Sequence, residues 1–243
     1  MLAPSNWIRS SLQAGRDLFH FTLAPSSGPE ASSHSPVLVP IRSLGPSYRT
    51  RIAAHLLALE PQDRYLRFGY AASDEQVQRY VDQLDFERDE IFGIYNRRLE
   101  LIAMAHLAFS TDPKAASCAE FGVSVLKHAR GRGYGARLFD RAVMHARNEG
   151  VSLMFIHALS ENTAMLKIAR NAGATVERDG SESEAHLKLP PASLDSRVAE
   201  IVEQQFAELD YRLKVQAKQF RDTLASVQEI RHGVRHGRHQ SAQ

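Results

Sequence analysis

An α+β domain, with a mostly antiparallel sheet flanked by helices and helical extensions at both ends, is what three observations on this 243-residue sequence predict. From Val37 to Pro190 the apolar residues switch repeatedly between the period of two that suits a strand and the three-to-four spacing that suits a helix. Two turn signals, Arg97–Arg98 and Asp179–Gly180, each join strand-like runs over a gap short enough only for antiparallel pairing. A glycine-rich loop in "HARGRGYGARLF" (His128 to Phe139) follows a strand and opens a helix on residues that are poor helix formers.

Taken in order, residues 1–36 hold an amphipathic helical stretch (Ser5 to Leu23, apolar at Trp7, Ile8, Leu12, Leu18 and Phe19) and a Ser/Pro-rich linker, "APSSGPEASSHSP". The domain proper, 37–190, begins with the short strand "VLVPI" and a helix from Tyr48 to Leu59. A second helix, Asp74 to Leu84, has Val77, Tyr80, Val81 and Leu84 on one face. "EIFGIYN" and "LELIAMAHLAF" form a hairpin around Arg97–Arg98, and "AEFGVSVL" is the strand before the glycine loop. The next helix aligns Leu138, Ala142 and Ala146 and stops at Gly150. "VSLMFIHAL" is apolar enough to be a central strand. Asn162 caps a helix ending at Gly173, and "ATVER" and "EAHLKL" close a hairpin at Asp179–Gly180.

Residues 191–243 read as one helix of about 35 residues, roughly 50 Å long, followed by a basic tail. Its apolar points (Val202, Phe206, Leu209, Leu213, Ala217, Phe220, Leu224, Val227) form a stripe longer than the domain can cover, so a partner is expected: the N-terminal helix or, preferred here, a second subunit. The four-residue step from Leu213 to Ala217 argues against a long regular coiled coil. The tail, "RHGVRHGRH", carries three histidines and reads as a solvated end rather than a metal site.

Composition excludes several classes. A formal charge of +2 is too small to argue for nucleic acid, and no aromatic interleaving accompanies the basic tail, so nucleic-acid binding is the weakest reading. The single cysteine, Cys118, excludes an internal disulfide framework and fits a reducing compartment. No apolar run approaches the ~20 residues of a membrane span. The N-terminus lacks the basic-then-apolar order of a secretory signal, because Arg9 and Arg16 interrupt it, so a cytoplasmic location is expected. No metal is called for.

The glycine loop points to an anion. Its glycines, at 131, 133 and 135, do not match the dinucleotide fingerprint, and no Lys-Ser or Lys-Thr follows as a P-loop requires. What stands here is Arg130-x-x-Gly133-x-Gly135, between a strand and a helix. Free N–H groups of a first helical turn, with the positive end of the helix dipole, suit a pyrophosphate. Arg130 and Arg132 add charge at the rim, and Gly133 and Gly135 permit close approach.

Strand, R-x-x-G-x-G, helix, central strand and Asn-capped helix is the order of the coenzyme A-binding half of the GNAT N-acetyltransferases. "AEFGVSVLKHARGRGYGARLFDRAVMHARNEGV" and "ENTAMLKIARNAGA" resemble that family's consecutive segments. "PIRSLGPSYRTRIAAHLLALEPQDRYLRFGY" further resembles the GNAT domain of bacterial protein-lysine acetyltransferases. The resemblance covers roughly Val37 to Leu189. It implies acetyl-CoA as co-substrate, with backbone N–H groups of Gly131, Arg132, Gly133, Tyr134 and Gly135 on the pyrophosphate. It also implies main-chain pairing of Val123, Ser124 and Val125 with the pantetheine arm, the thioester carbonyl near the Val125 end, and coenzyme contact by Asn162.

Transfer to an amine needs a neutral nucleophile, a polarised carbonyl and a proton for the leaving thiolate. Glu120, opening the strand that leads to the loop, is the candidate base, as in related lysine acetyltransferases. The tyrosine that many relatives carry seven residues beyond the asparagine is here Ala169, leaving the acid open between His157, Ser160 and water; Tyr134 should point away from the sulfur. Cys118 reads as a small structural thiol rather than an acyl carrier. A protein lysine is the acceptor the resemblance favours, with small amines open and Arg97 and Arg98 as a candidate border. The alternative function is a catalytically weak coenzyme A-binding regulatory or assembly module.

Overall fold

The computed structural model describes residues 39–112, 115 and 117–240, with side chains described as far as residue 222. The helix and linker expected over residues 1–36 lie outside the described residues.

Seven strands form one sheet: β1 (Arg42–Ser43), β2 (Glu90–Tyr95), β3 (Leu101–Phe109), β4 (Cys118–Val125), β5 (Leu153–Leu159), β6 (Thr175–Asp179) and β7 (Glu182–Lys188). Their spatial order is β1-β2-β3-β4-β5-β7-β6, and every pair is antiparallel except β4 with β5. That parallel pair is only three residues long, from Cys118 opposite Leu153 to Glu120 opposite Phe155. Beyond Glu120 the two strands part, although β4 stays paired with β3 as far as Val125 and β5 with β7 as far as Leu159.

The hairpins form where expected. Asn96 builds the first turn, its side-chain oxygen accepting from the N–H groups of Arg98 (2.8 Å) and Glu100 (3.0 Å). Gly180 supplies the positive φ, 59°, of the second.

On one face of the sheet lie α1 (Arg49–Leu57), α2 (Pro61–Phe68) and α3 (Asp74–Asp82), which bury Ile52, Leu56, Val77 and Val81 against Ile91, Leu101 and Met104. α3 starts on a capping box in which Ser73 and Gln76 satisfy each other's backbone N–H groups. The other face is covered by α4 (Tyr134–Asn148) and α5 (Thr163–Asn171), with Leu138, Phe139 and Leu166 packed on Phe92, Phe121 and Ile156. β4 alternates accordingly: Phe121 stacks edge-on against Phe139 at 5.1 Å, while Glu120, Gly122 and Ser124 look towards α1–α3.

Three local readings differ from the structure. The first strand is displaced from "VLVPI" to Arg42–Ser43, because Pro40 has no N–H to give a ladder. α2 is an additional helix, short and without a fully buried residue, so its periodicity is faint; Pro61 in its first turn and Gly69 at φ 80° beyond its end are its signals. The C-terminal helix, α6 (Leu194–Gln240), runs 47 residues, because Gly233 and Gly237 cost helix stability without stopping the chain.

α6 docks by its polar side. Glu200 meets His145 (2.6 Å) and the buried Arg141 (3.3 Å), Glu208 meets Arg42, and Lys214 donates to the Tyr95 carbonyl (2.9 Å). Val198, Ile201, Val202, Leu209, Leu213 and Phe220 are each more than half exposed. Among the described residues no helix is long and apolar enough to cross a membrane.

Candidate active site

The parting of β4 from β5 opens the sheet, and two cavities meet at the gap. One, of about 590 Å³, lies towards the glycine loop between β4, α4 and α5, and is lined by Val123, Val125, Gly131, Gly133, Tyr134, Ala164 and Ile168. The other, of about 610 Å³, lies towards β6 and β7 and is lined by Glu120, His157, Glu177, Arg178, Asp179, Glu182 and Glu184. Leu66, Arg67, Val123, Asn162 and Met165 line both.

The loop cavity has the features an anion-terminated ligand requires. Gly131 and Gly133 both adopt φ 75°, the left-handed conformation that favours glycine, and Gly133 is the N-cap of α4. No side chain caps that helix and its first turn holds no acidic residue, so its leading N–H groups face the cavity without a partner of their own. A Cβ on Gly135 would come within 3.3 Å of Ile168, so the close packing of α4 on α5 also depends on glycine.

Arg130 is ion-paired with Asp63 of α2 and donates to the Val125 carbonyl (3.2 Å), bracing the loop against β4. Arg132 is exposed and lines neither cavity. Asn162 caps α5, its side-chain oxygen accepting from the Met165 N–H at 3.1 Å, and sits where both cavities meet.

On β4, Glu120 is the last residue paired to β5 and is exposed in the second cavity. The Ser124 hydroxyl is turned to the helix layer, 2.8 Å from Nε2 of His55. The other ring nitrogen of His55 lies 2.8 Å from the Leu101 carbonyl, which can only accept; Nδ1 therefore donates and Nε2 accepts from Ser124. Burial, with a further push from the Arg67 charge, lowers the His55 pKa to about 4 despite the Leu101 bond.

Several other sequence candidates separate. Ala169 is fully buried in the core, so no hydroxyl reaches the gap from that turn of α5. His157 lies on the second cavity's wall, its side chain 56% exposed, and Nε2 is 3.9 Å from Glu184. Ser160 is engaged in the turn between β5 and β7, donating to the Glu182 carbonyl at 2.9 Å. Cys118 lines neither cavity. Arg97 and Arg98 sit at the turn between β2 and β3, away from both. Among the described residues no group of three or more His, Cys, Asp or Glu could hold a metal ion; the side chains of the tail histidines lie outside the described ones.

A side chain that sequence reasoning missed is Arg67. Its guanidinium lies on Gly122: a Cβ there would stand 2.9 Å from its central carbon. Arg67 lies near the end of the quoted segment "PIRSLGPSYRTRIAAHLLALEPQDRYLRFGY", but no local signal there shows that α2 folds back onto β4.

An open seam between two parallel strands, beside an uncapped glycine-started helix, defines a site for an extended ligand that ends in an anion. The sequence matches the Acetyltransferase (GNAT) family over residues 55–174, just under half of the chain. Among solved structures, the GNAT domain of S. lividans PAT is similar with a TM-score of 0.54 at 20% identity, covering 66% of this chain and all of that one. A GNAT-family acetyltransferase from Streptococcus pneumoniae is similar with a TM-score of 0.51 at 12% identity, covering 62% and 98%. YncA, a putative acetyltransferase from Salmonella typhimurium solved with its cofactor acetyl-CoA, gives 0.50 at 14%, covering 64% and 96%. No curated protein matches the chain in sequence.

Proposed function

We propose that this protein moves the acetyl group of acetyl-CoA directly to a primary amine, a protein lysine being the favoured acceptor, with Glu120 as the base. The observation that carries the reading is the seam: β4 is unpaired on its β5 side beyond Glu120, and Glu120, the last paired residue, lines the second cavity three residues from Val123, which lines both.

Residues 131–135 would hold the pyrophosphate through their N–H groups, with Arg130 fixing the loop. Main-chain groups of Val123, Ser124 and Val125 would pair with the pantetheine arm as a short extra strand. The resemblance puts the thioester carbonyl near the Val125 end; because the arm would start at the loop and run back along β4, we place it instead by Gly122, further from the loop and nearer Glu120. Asn162 would contact the arm from the opposite side of the seam. An acceptor entering from the β6–β7 side meets Glu177, Asp179, Glu182 and Glu184, which favour a group arriving as an ammonium. Glu120 would then take the proton that frees its lone pair. Water would reprotonate the thiolate, since Ala169 offers no acid. A reducing, cytoplasmic setting suits the lone free cysteine.

The test is thiol release from acetyl-CoA against lysine peptides, polyamines and amino acids, run on the wild type and on Glu120→Gln with coenzyme A binding measured in both. Turnover lost in the variant while binding persists supports the reading. Tight binding with no acceptor turned over points instead to a regulatory module, the reading that Ala169 favours.

The same reading includes a homodimer through α6. Its outward stripe, Leu194 to Phe220, spans about 40 Å at 1.5 Å per residue and leaves eight large apolar side chains exposed. Residues 194–210 carry Asp195, Glu200, Glu203, Glu208 and Asp210 against Arg197 alone, whereas 211–221 carry Arg212, Lys214, Lys218 and Arg221 with no acid. Two copies laid antiparallel bring opposite charges together. Light scattering should give twice the chain mass for the wild type and a monomer for Val202→Glu/Leu213→Glu. A monomeric wild type sinks the dimer.

A further inference from the structure

The wall shared by the two cavities holds a cation that the mechanism above leaves unused. Arg67 ends α2 with its guanidinium spread over the main chain of Gly122, two residues along β4 from Glu120 and on the same face. All three of its terminal atoms come within about 3 Å of where a Cβ would be, so a glycine at 122 is what lets a cation lie flat on the strand at the seam.

Its neighbours of the same type are neutralised: Arg64 pairs with Asp74 at 2.6 Å and Arg130 with Asp63. Arg67 instead donates to the Tyr80 hydroxyl at 2.8 Å and lies near the rings of Phe68 and Tyr80, 5.3 and 5.5 Å from their centroids. Among the described residues no carboxylate forms an ion pair with it.

Behind Tyr80 runs a chain of hydrogen bonds whose directions follow from chemistry. A guanidinium only donates, so the Tyr80 oxygen accepts from Arg67 and passes its own proton to Nδ1 of His106 at 2.7 Å. Nε2–H of His106 is then left to donate to Asp89 at 3.0 Å. Asp89, its side chain 2% exposed, is further held by Arg88 and by the Phe109 N–H. A buried carboxylate, an imidazole and a phenol from three elements thus aim one cation at the seam.

We propose that Arg67 is a catalytic residue of the transfer, donating to the acyl carbonyl oxygen as it gains negative charge, and that Tyr80, His106 and Asp89 are positioning residues that fix its guanidinium. The inference rests on the acetyl-transfer reading of this site. The amine lone pair forms the C–N bond and the carbonyl π pair moves onto oxygen beside Arg67. That pair then returns, the C–S bond breaks and the thiolate leaves with its electron pair; water protonates the thiolate, and the hydroxide so formed takes the adduct's ammonium proton, Glu120 having already taken the proton that freed the lone pair. Nothing is oxidised or reduced, and Arg67 stays protonated throughout, holding charge rather than acting as the acid.

The experiment compares wild type, Arg67→Ala, Arg67→Lys and Tyr80→Phe for kcat, amine KM, coenzyme A affinity and thermal unfolding, with Arg67→Ala also assayed in low-millimolar guanidinium chloride. Arg67→Ala should lose about a hundredfold or more in kcat with coenzyme A affinity kept. Added guanidinium should restore part of that loss, and Lys should restore less than Arg because it lacks the planar fork. Tyr80→Phe should lower kcat several-fold with amine KM unchanged. Amine KM rising at constant kcat would overturn the proposal and make Arg67 an acceptor contact. Parallel loss of kcat, coenzyme A affinity and thermal stability with no guanidinium rescue would overturn it too, leaving a brace between α2 and β4. A wild type that releases no thiol with any amine overturns the transfer reading itself.

Discussion

The two cavities that meet at the β4–β5 seam are nearly equal in volume but are built by opposite means. The one beside the glycine loop centres on main-chain groups, an uncapped helix start, left-handed glycines and the unpaired edge of β4, with Arg130 and Lys167 on its wall. The one beside β6 and β7 takes its chemistry from side chains on separate strands, Glu120, His157, Glu177, Asp179, Glu182 and Glu184. A main-chain site tolerates change in side chains but not in backbone conformation; a side-chain site has the opposite weakness.

That contrast can be tested by breaking each half in its own way. The largest effect belongs to Glu120→Gln, which should lower kcat by a factor of about 10² to 10⁴ while coenzyme A binds as before, measured by thiol release and calorimetry. Loss of coenzyme A binding instead would place Glu120 in the main-chain half and dissolve the distinction.

The seam itself should be sensitive to acid. His55, which holds Ser124 of β4 and Leu101 of β3, titrates at about 4 when folded and near 6.5 when unfolded. Between those values the unfolded chain binds the extra proton, so stability is full above pH 6.5 and is lost as pH falls towards 4, by on the order of 3 kcal/mol. Urea unfolding of the wild type and His55→Asn at pH 7 and 4.5 checks this; an equal acid loss in both removes His55 as its source. His145 works in the other direction. Burial disfavours its charge, but the Glu200 bond and neighbouring carboxylates raise its pKa. Its contribution to holding α6 is therefore present below the unfolded value and fades as pH rises through the raised one.

Gly133→Ala meets no neighbour within 4 Å, so its effect is backbone strain alone. Forcing a Cβ into φ 75° costs about 1–2 kcal/mol and should weaken coenzyme A binding roughly tenfold with amine KM unchanged. The smallest effect is expected for Asp179→Asn/Glu182→Gln, a change of a few-fold in amine KM that shrinks with added salt and leaves coenzyme A affinity alone.

Legibility in the sequence follows the same division. Gly131, Gly133 and Asn162 act on backbone within a few residues of themselves, so their motif could be read directly, as could hairpins set by Asn96 and Gly180. The chain from Arg67 through Tyr80 and His106 to Asp89 joins residues up to 26 positions apart in a single bond. Each member has an ordinary local reading; Tyr80, for instance, fits the apolar face of its helix. α6 shows the complementary difficulty. Its apolar stripe was visible, but stripes in isolated sequence point to a core, whereas this one faces solvent because Glu200, Glu208 and Lys214 satisfy partners on the domain.

The parallel pairing of β4 and β5 over only three residues sets a ceiling on how the protein can be improved. Every further rung added past Glu120 would strengthen the sheet and seal the entrance to both cavities. Selection for heat resistance must therefore act on the hairpins, the helix caps or α6, and leave this one line of the sheet permanently torn.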